Sequence, residues 1–157
     1  MVKINGKKHY IWFIIDSETR FVLGFHLPPY RFSPQTHSLF KHVANMGNPL
    51  SIVSDRYSAY KAPAKCLLPS ARHIRVGGFK EDISNNLIES FNNRFKPWYK
   101  TKRGFHSFDS ANATISVFVF FFNFIRPHQG LNGLTPAQVA DTHYNPNPKN
   151  VFSLANA

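Results

Sequence analysis

The chain has 157 residues, one domain's worth, with 19 Lys and Arg against 8 Asp and Glu and a formal net charge of +11. Apolar residues at 43% and aromatics at 15% are enough for a core and exclude a disordered chain. The single cysteine, Cys66, excludes an intrachain disulfide framework and a multi-cysteine zinc site, and no N-terminal basic-then-apolar segment reads as a signal peptide.

Val2 to Ile4 reads as a short strand and Asn5-Gly6 as a tight hairpin turn. Tyr10 to Ile15 is nearly all apolar, the pattern of a strand buried on both faces. Asp16-Ser17-Glu18-Thr19 is a turn, and Phe21 to Leu27 is a further strand ended by Pro28-Pro29. Together these predict an antiparallel meander of three strands. The period then changes. Ser33-Pro34 places an N-cap before a proline in the first helical turn; Leu39, Phe40, Val43 and Met46 form the apolar stripe, and Gly47 closes the helix. Leu50 to Val53 predicts a buried strand ending at Ser54-Asp55. A weaker helix over Ala59 to Leu68, interrupted by Pro63, and a fifth strand over His73 to Val76, before Gly77-Gly78, come next. Another helix starts near Ser84 and runs to Lys96 or beyond, with Pro97 predicting a break or kink at Lys96.

The last helix has the clearest period. Phe108, Ala111, Ile115, Phe118, Phe122 and Ile125 recur at steps of three and four, with Ser107 as N-cap and Arg126-Pro127 as the stop. Its apolar run from Ile115 to Ile125 is 11 residues, broken by Ser116 and Asn123, and well below the roughly 20 residues that span a bilayer. Phe120 and Phe121 lie off the stripe, so a second covered face is expected, by a second chain. The element order predicts an α/β domain with a mixed five-stranded sheet, three antiparallel strands then parallel ones, flanked by helices over residues 1–143. A loose C-terminal tail occupies residues 144–157.

The charge excess favours a polyanionic partner, with nucleic acid first and an anionic membrane or a merely solubilising surface as alternatives. Carboxylate chemistry must come from Asp16, Glu18, Asp55, Glu81, Asp82, Glu89, Asp109 and Asp141. Asp55 follows an apolar strand, and open α/β sheets collect ligands at the carboxyl ends of their strands; a plain turn aspartate is the competing role. On a helical wheel, Leu87, Phe91 and Phe95 form one stripe, while Asn85, Glu89, Asn92 and Lys96 fall on the opposite face. The competing role for that face is simple solvation. Between Asp55 and Glu89 the chain has room for a helix, a strand and a loop, a path that can return it to the same sheet edge. Two such carboxylates could hold Mg²⁺ against a phosphodiester; the hard oxygen ligands, and His37 and His42 on different helix faces, argue against zinc. Arg94, Lys96, Lys100, Lys102 and Arg103 cluster with Trp98 and Tyr99 among them, a patch suited to backbone phosphates or else a solvated loop after Pro97.

Four stretches, in order, resemble one family: Lys3-Ile4-Asn5-Gly6-Lys7-Lys8-His9-Tyr10-Ile11-Trp12 with Ile15-Asp16; Ile52-Val53-Ser54-Asp55 with Ala59-Tyr60; Asn85-Asn86-Leu87-Ile88-Glu89-Ser90-Phe91-Asn92; and Asn123-Phe124-Ile125-Arg126-Pro127-His128 with Leu134-Thr135-Pro136-Ala137. Over about Val2 to Ala140 the chain resembles the catalytic domain of Asp-Asp-Glu (DDE) transposases and retroviral-type integrases, and is most similar to the insertion-sequence-six family. The resemblance implies an RNase H-like fold, Asp55 as second catalytic Asp, Glu89 as catalytic Glu, and Lys96 as a phosphate contact. It also implies two Mg²⁺ or Mn²⁺ ions, transposon-end and target DNA as partners, a homodimer or higher oligomer, and a cytoplasmic, nucleoid-associated place in a prokaryote. The Arg126-Pro127-His128 segment would be structural or DNA-contacting.

On this pattern the family's first catalytic Asp would fall about three positions upstream of Met1. Asp16 is a candidate substitute, but it matches the acid at the end of the second strand, which is not a family ligand. The expectation is therefore a truncated catalytic domain, inactive alone. The alternatives are a non-catalytic DNA-binding or dimerisation remnant and a cellular ribonuclease H-like hydrolase.

Overall fold

The computed structural model describes residues 1–28, 33–46, 49–76 and 86–141. Strand β1 (Val2–Ile4) pairs antiparallel with β2 (Lys7–His9). Asn5 and Gly6 both have positive φ, 51° and 78°, which is what a two-residue hairpin turn requires and why Asn-Gly stands there. Strand β3 (Trp12–Ile15) pairs antiparallel with β4 (Val22–His26), with a bulge at Ile14/Ile15. The expected meander is thus divided. The middle strand is interrupted at Tyr10 and Ile11, and its two halves take different partners.

Helix α1 (Ser33–Met46) follows, then β5 (Ser51–Ser54), a single 3-10 turn (Ser58–Tyr60), α2 (Lys61–Leu67) and β6 (Arg72–Arg75). Pro63 lies within the first turn of α2, where a missing N–H breaks no helical bond. Strands β5 and β6 run parallel. Among the described residues the strands form three separate pairs, and no five-stranded sheet is present. The expected closures at Gly47 and Gly77-Gly78, the start near Ser84 and the tail over 144–157 lie outside the described residues.

Helix α3 (Asn86–Thr101) passes through Pro97 without ending, contrary to the expected break at Lys96. Packing outweighs the local penalty. Trp98 lies 4.6 Å from Phe118 and Tyr99 lies 5.8 Å from Phe105, ring to ring, so the turn after the proline is held on the core. Asn93, whose carbonyl loses its helical donor to Pro97, is exposed and can bond water. Helix α4 (Phe108–Phe120) begins at the expected cap: the Ser107 hydroxyl accepts from the Ser110 N–H, and the Ser110 hydroxyl accepts from the Ser107 N–H. It continues as one π-helical stretch, Phe121–Ile125, and stops where Arg126 turns extended.

Two apolar clusters result. One joins β1, β4, α3 and α4 through Val22, Phe91, Phe95, Ile115, Phe118 and Phe122. Phe91 is 4.7 Å from Phe13 and 4.9 Å from Phe122, so α3 is clamped between β3 and the last helix. The other joins α1, α2 and β5 around Phe40, Ala64 and Leu68. The continuous helix Phe108–Ile125 reaches 18 residues with mean hydropathy 1.4, long and apolar enough on those counts to cross a membrane, and longer than the 11-residue run suggests. Its stripe of Ala111, Ile115, Phe118 and Phe122 is buried against the protein, while about a third of the helix as a whole is buried.

Asn123 is buried in that stripe with 1% of its surface exposed. Its carboxamide accepts from the Val22 N–H at 2.9 Å and donates to the Val22 carbonyl at 3.0 Å. One side chain thereby satisfies both backbone groups of a fully buried strand residue and fixes the last helix to β4.

Candidate active site

Between the two clusters lies a cavity of about 710 Å³. One wall is the 11–17 segment, including all of β3; the other is 51–55, including all of β5, with Phe40 and Val43 of α1; Glu89 and Asn92 of α3 close one side. Both walls are therefore strand segments with apolar side chains between them, and Asp16, Asp55 and Glu89 are among the lining residues.

Asp55 stands one residue past β5, because Ser54 still belongs to the parallel ladder while the chain must turn into the 3-10 segment. Its Oδ1 accepts from the Tyr57 N–H at 2.9 Å, so it does serve as a turn aspartate as well as lining the cavity. The tip beneath it is held firmly. Val76 N–H donates to the Ser54 carbonyl at 2.9 Å, and the Ser54 hydroxyl lies 2.8 Å from His73 Nε2. Burial, then the Arg75 charge, lowers the His73 pKa below its ordinary value and keeps the ring neutral.

Glu89 reaches the cavity from the first turn of α3, on the face opposite the buried Phe91 and Phe95. Asn92, one turn on, lines the same wall. Lys96 continues that face but is exposed and outside the cavity, beside the Met1 amino group, whose pKa is lowered by burial and then by the Lys96 charge. Asp16 also lines the cavity. Its carboxylate accepts from both the N–H and the hydroxyl of Thr19, at 2.9 and 2.5 Å, which shapes the β3–β4 turn.

The run of basic residues does not form one patch. Arg94 and Lys96 are two apart, about 200° around a helix, and so they diverge. The charges acting on Arg94 are those of Arg126 and Arg20. Lys100 is exposed in the last turn of α3, Lys102 lies 5.3 Å from the Trp98 ring centroid, and Arg103 occupies a left-handed turn with φ 57°. Trp98 and Tyr99 are half-buried core walls rather than exposed stacking platforms. Arg20 joins the basic groups from a distant turn, and nothing in its sequence surroundings announces this.

The acids lining the cavity offer carboxylate oxygens, which suit a hard cation such as Mg²⁺. Two carboxylates with water and phosphate oxygens can hold one such ion. Among the described residues no three His, Cys, Asp or Glu side chains group closely enough to hold a metal, so a two-ion site is not furnished by these residues alone.

The DDE domain family model (DDE_Tnp_IS240) matches residues 1–128, from β1 through the end of the last long helix and including Asp55, Glu89 and their supports. No curated protein matches the chain. The chain belongs to the DDE domain family of insertion-sequence transposases.

Proposed function

We propose that this chain is a transposase catalytic domain that cuts and joins DNA strands, with Asp55 and Glu89 as catalytic carboxylates and ligands for Mg²⁺ or Mn²⁺. The observation that carries this reading is the pair of acids, 34 positions apart in sequence, lining one cavity at a strand tip and a helix face. A bound ion there would supply Lewis acidity to a phosphodiester and lower the pKa of an attacking water. Asp55 would contribute one fixed oxygen donor, because the Tyr57 N–H and the β5–β6 ladder orient its carboxylate. Glu89 would approach from the side of the cavity that α3 closes, and Asn92 beside it could donate to a phosphate oxygen. Lys96, Lys100, Lys102 and Arg103 would contact the DNA backbone beyond the cavity, and Arg94 would contact it from a different face of α3.

A complete site with two ions needs a third acid. The family's RNase H-like, five-stranded sheet would bring the β1–β2, β3–β4 and β5–β6 pairs side by side. The exposed side of the last helix (Val117 at 66%, Phe121 at 46%, Ile125 at 55%) supports a homodimer through that face.

The test is incubation with transposon-end DNA and Mg²⁺ or Mn²⁺. Metal-dependent nicking or strand transfer should disappear in Asp55→Asn and Glu89→Gln; strand transfer that persists in Asp55→Asn contradicts the assignment. A second reading, a DNA-binding or dimerisation remnant without catalysis, is favoured by the lack of a third grouped acid among the described residues. It predicts salt-sensitive DNA binding that is indifferent to divalent metal and to both substitutions.

A further inference from the structure

We propose that Arg20, Arg94 and Arg126 form a phosphate clamp for the nucleic-acid backbone, built where the β3–β4 turn, helix α3 and the exit of the last helix meet. The inference rests on the reading of the chain as a DNA-acting domain and adds a contact surface outside the Asp55–Glu89 cavity.

Packing brings the three elements together. Phe21, next to Arg20, lies edge-on to Phe124 at 5.7 Å, and Val22 is bonded through both backbone groups to Asn123. This ties the Arg20 turn to the segment that ends in Arg126. Phe91, three residues before Arg94, lies edge-on to Phe122 at 4.9 Å, which brings α3 to the same segment. Arg20 itself is held in a left-handed conformation, φ 62°, with its N–H donating to the Asp16 carbonyl at 2.9 Å. Its guanidinium lies over Gly130, where an added Cβ would clash with Nη2 and Nη1.

Among the described residues no carboxylate offsets the positive charges around Arg94. The charges acting on Arg94 are Arg126 and Arg20, both repulsive, and all three guanidinium groups act on His128. His128 is 4% exposed, and its Nε2 has no partner among the described residues. Burial first, then these three arginines, holds its pKa below the ordinary value, although a bond to the Phe122 carbonyl opposes this. The ring therefore stays neutral beside three fixed positive charges. Planar guanidinium forks that the fold draws together despite their repulsion suit a phosphate, which offers several acceptor oxygens and relieves that repulsion. Gly130 is then the residue that leaves room for the Arg20 fork.

The experiment measures the affinity of a fluorescent random-sequence DNA duplex across a salt series by anisotropy. The proteins are the wild type, Arg20→Gln, Arg94→Gln, Arg126→Gln, Gly130→Ala and, as a distant charge control, Lys41→Gln on the exposed side of α1. Circular dichroism checks that each is folded. Each arginine substitution should lower the slope of log affinity against log salt by about one. Gly130→Ala, which changes no charge, should weaken duplex binding by moving the fork, with a smaller loss of slope than Arg20→Gln. Lys41→Gln should change it little. Slopes equal to wild type in Arg20→Gln and Gly130→Ala, with duplex binding intact, overturn the clamp and leave the DNA-acting reading standing. A wild type that binds no duplex even at low salt overturns both. Titration with inorganic phosphate is the remaining arm: phosphate that stabilises the wild type but not Arg126→Gln, with no change in duplex slopes, would mark a free-anion site and also overturn the clamp.

Discussion

Asn123→Leu should be among the most destabilising single changes in this chain. The substitution keeps the volume but removes the carboxamide that serves both the N–H and the carbonyl of Val22, at 2.9 and 3.0 Å. Val22 is fully buried, so water cannot replace either bond. Leaving one buried backbone group unsatisfied costs about 1–3 kcal/mol, so the pair together costs roughly 2–6 kcal/mol. A domain of this size has about 5–15 kcal/mol in total. With a urea dependence of about 1–3 kcal/mol per molar, the midpoint should fall by roughly 1–3 M. Asn123→Asp should be worse, because it retains the acceptor for the Val22 N–H but turns a charged oxygen toward the Val22 carbonyl. Urea melts followed by tryptophan fluorescence, with Trp12 and Trp98 as reporters, supply the measurement. A Leu variant within about 0.5 kcal/mol of wild type would refute the claim that these two bonds are unreplaced.

Three further outcomes are expected. Ser107→Ala removes one half of the reciprocal cap at the start of α4 and should cost about 1 kcal/mol in the same melts; no loss would mean that water or Ser110 alone satisfies the helix end. His73 and His128 both have pKa values held below 6.5, so the unfolded chain binds more protons than the native one as the solution is acidified. Their contribution is full above pH 6.5 and declines as pH drops through the folded values; a stability flat between neutral and mildly acid pH would contradict it. Phe121→Ser and Val117→Ser should shift sedimentation velocity toward the monomer, whereas a wild type already monomeric at high concentration removes the case for a dimer through this face.

Much of the fold is legible in the residue pattern. The hairpin at Asn5-Gly6, the stripe from Phe108 to Phe122, the Ser107 cap and the stop at Arg126 follow from local chemistry, and local chemistry is what a sequence states directly. Sheet partnership is different. An unbroken apolar run from Tyr10 to Ile15 does not say that Lys7–His9 will pair on one side and Trp12–Ile15 on the other, because pairing depends on distant segments. Pro97 gave a correct local penalty, outweighed by Trp98 and Tyr99 packing on Phe118 and Phe105.

The site divides in the same way. The placement of Asp55 and Glu89 in one cavity follows from a strand tip and a helical wheel, both periodic features. The basic groups were grouped by closeness along the chain, and helix geometry separates Arg94 from Lys96. Arg20, at a turn 74 positions before Arg94, comes near it through tertiary contacts such as Val22 to Asn123 and Phe91 to Phe122. Asn123 itself reads in sequence as an interruption of an apolar run. Its role depends on a strand 101 positions away.

Paramagnetic Mn²⁺ added to isotopically labelled protein tests most directly whether Asp55 and Glu89 share a cation. Saturable NMR broadening centred on the amides of Ser54, Asp55 and Glu89, relieved by excess Mg²⁺ and abolished by either Asp55→Asn or Glu89→Gln, is the predicted result. Broadening centred elsewhere, or unchanged in both variants, would contradict it.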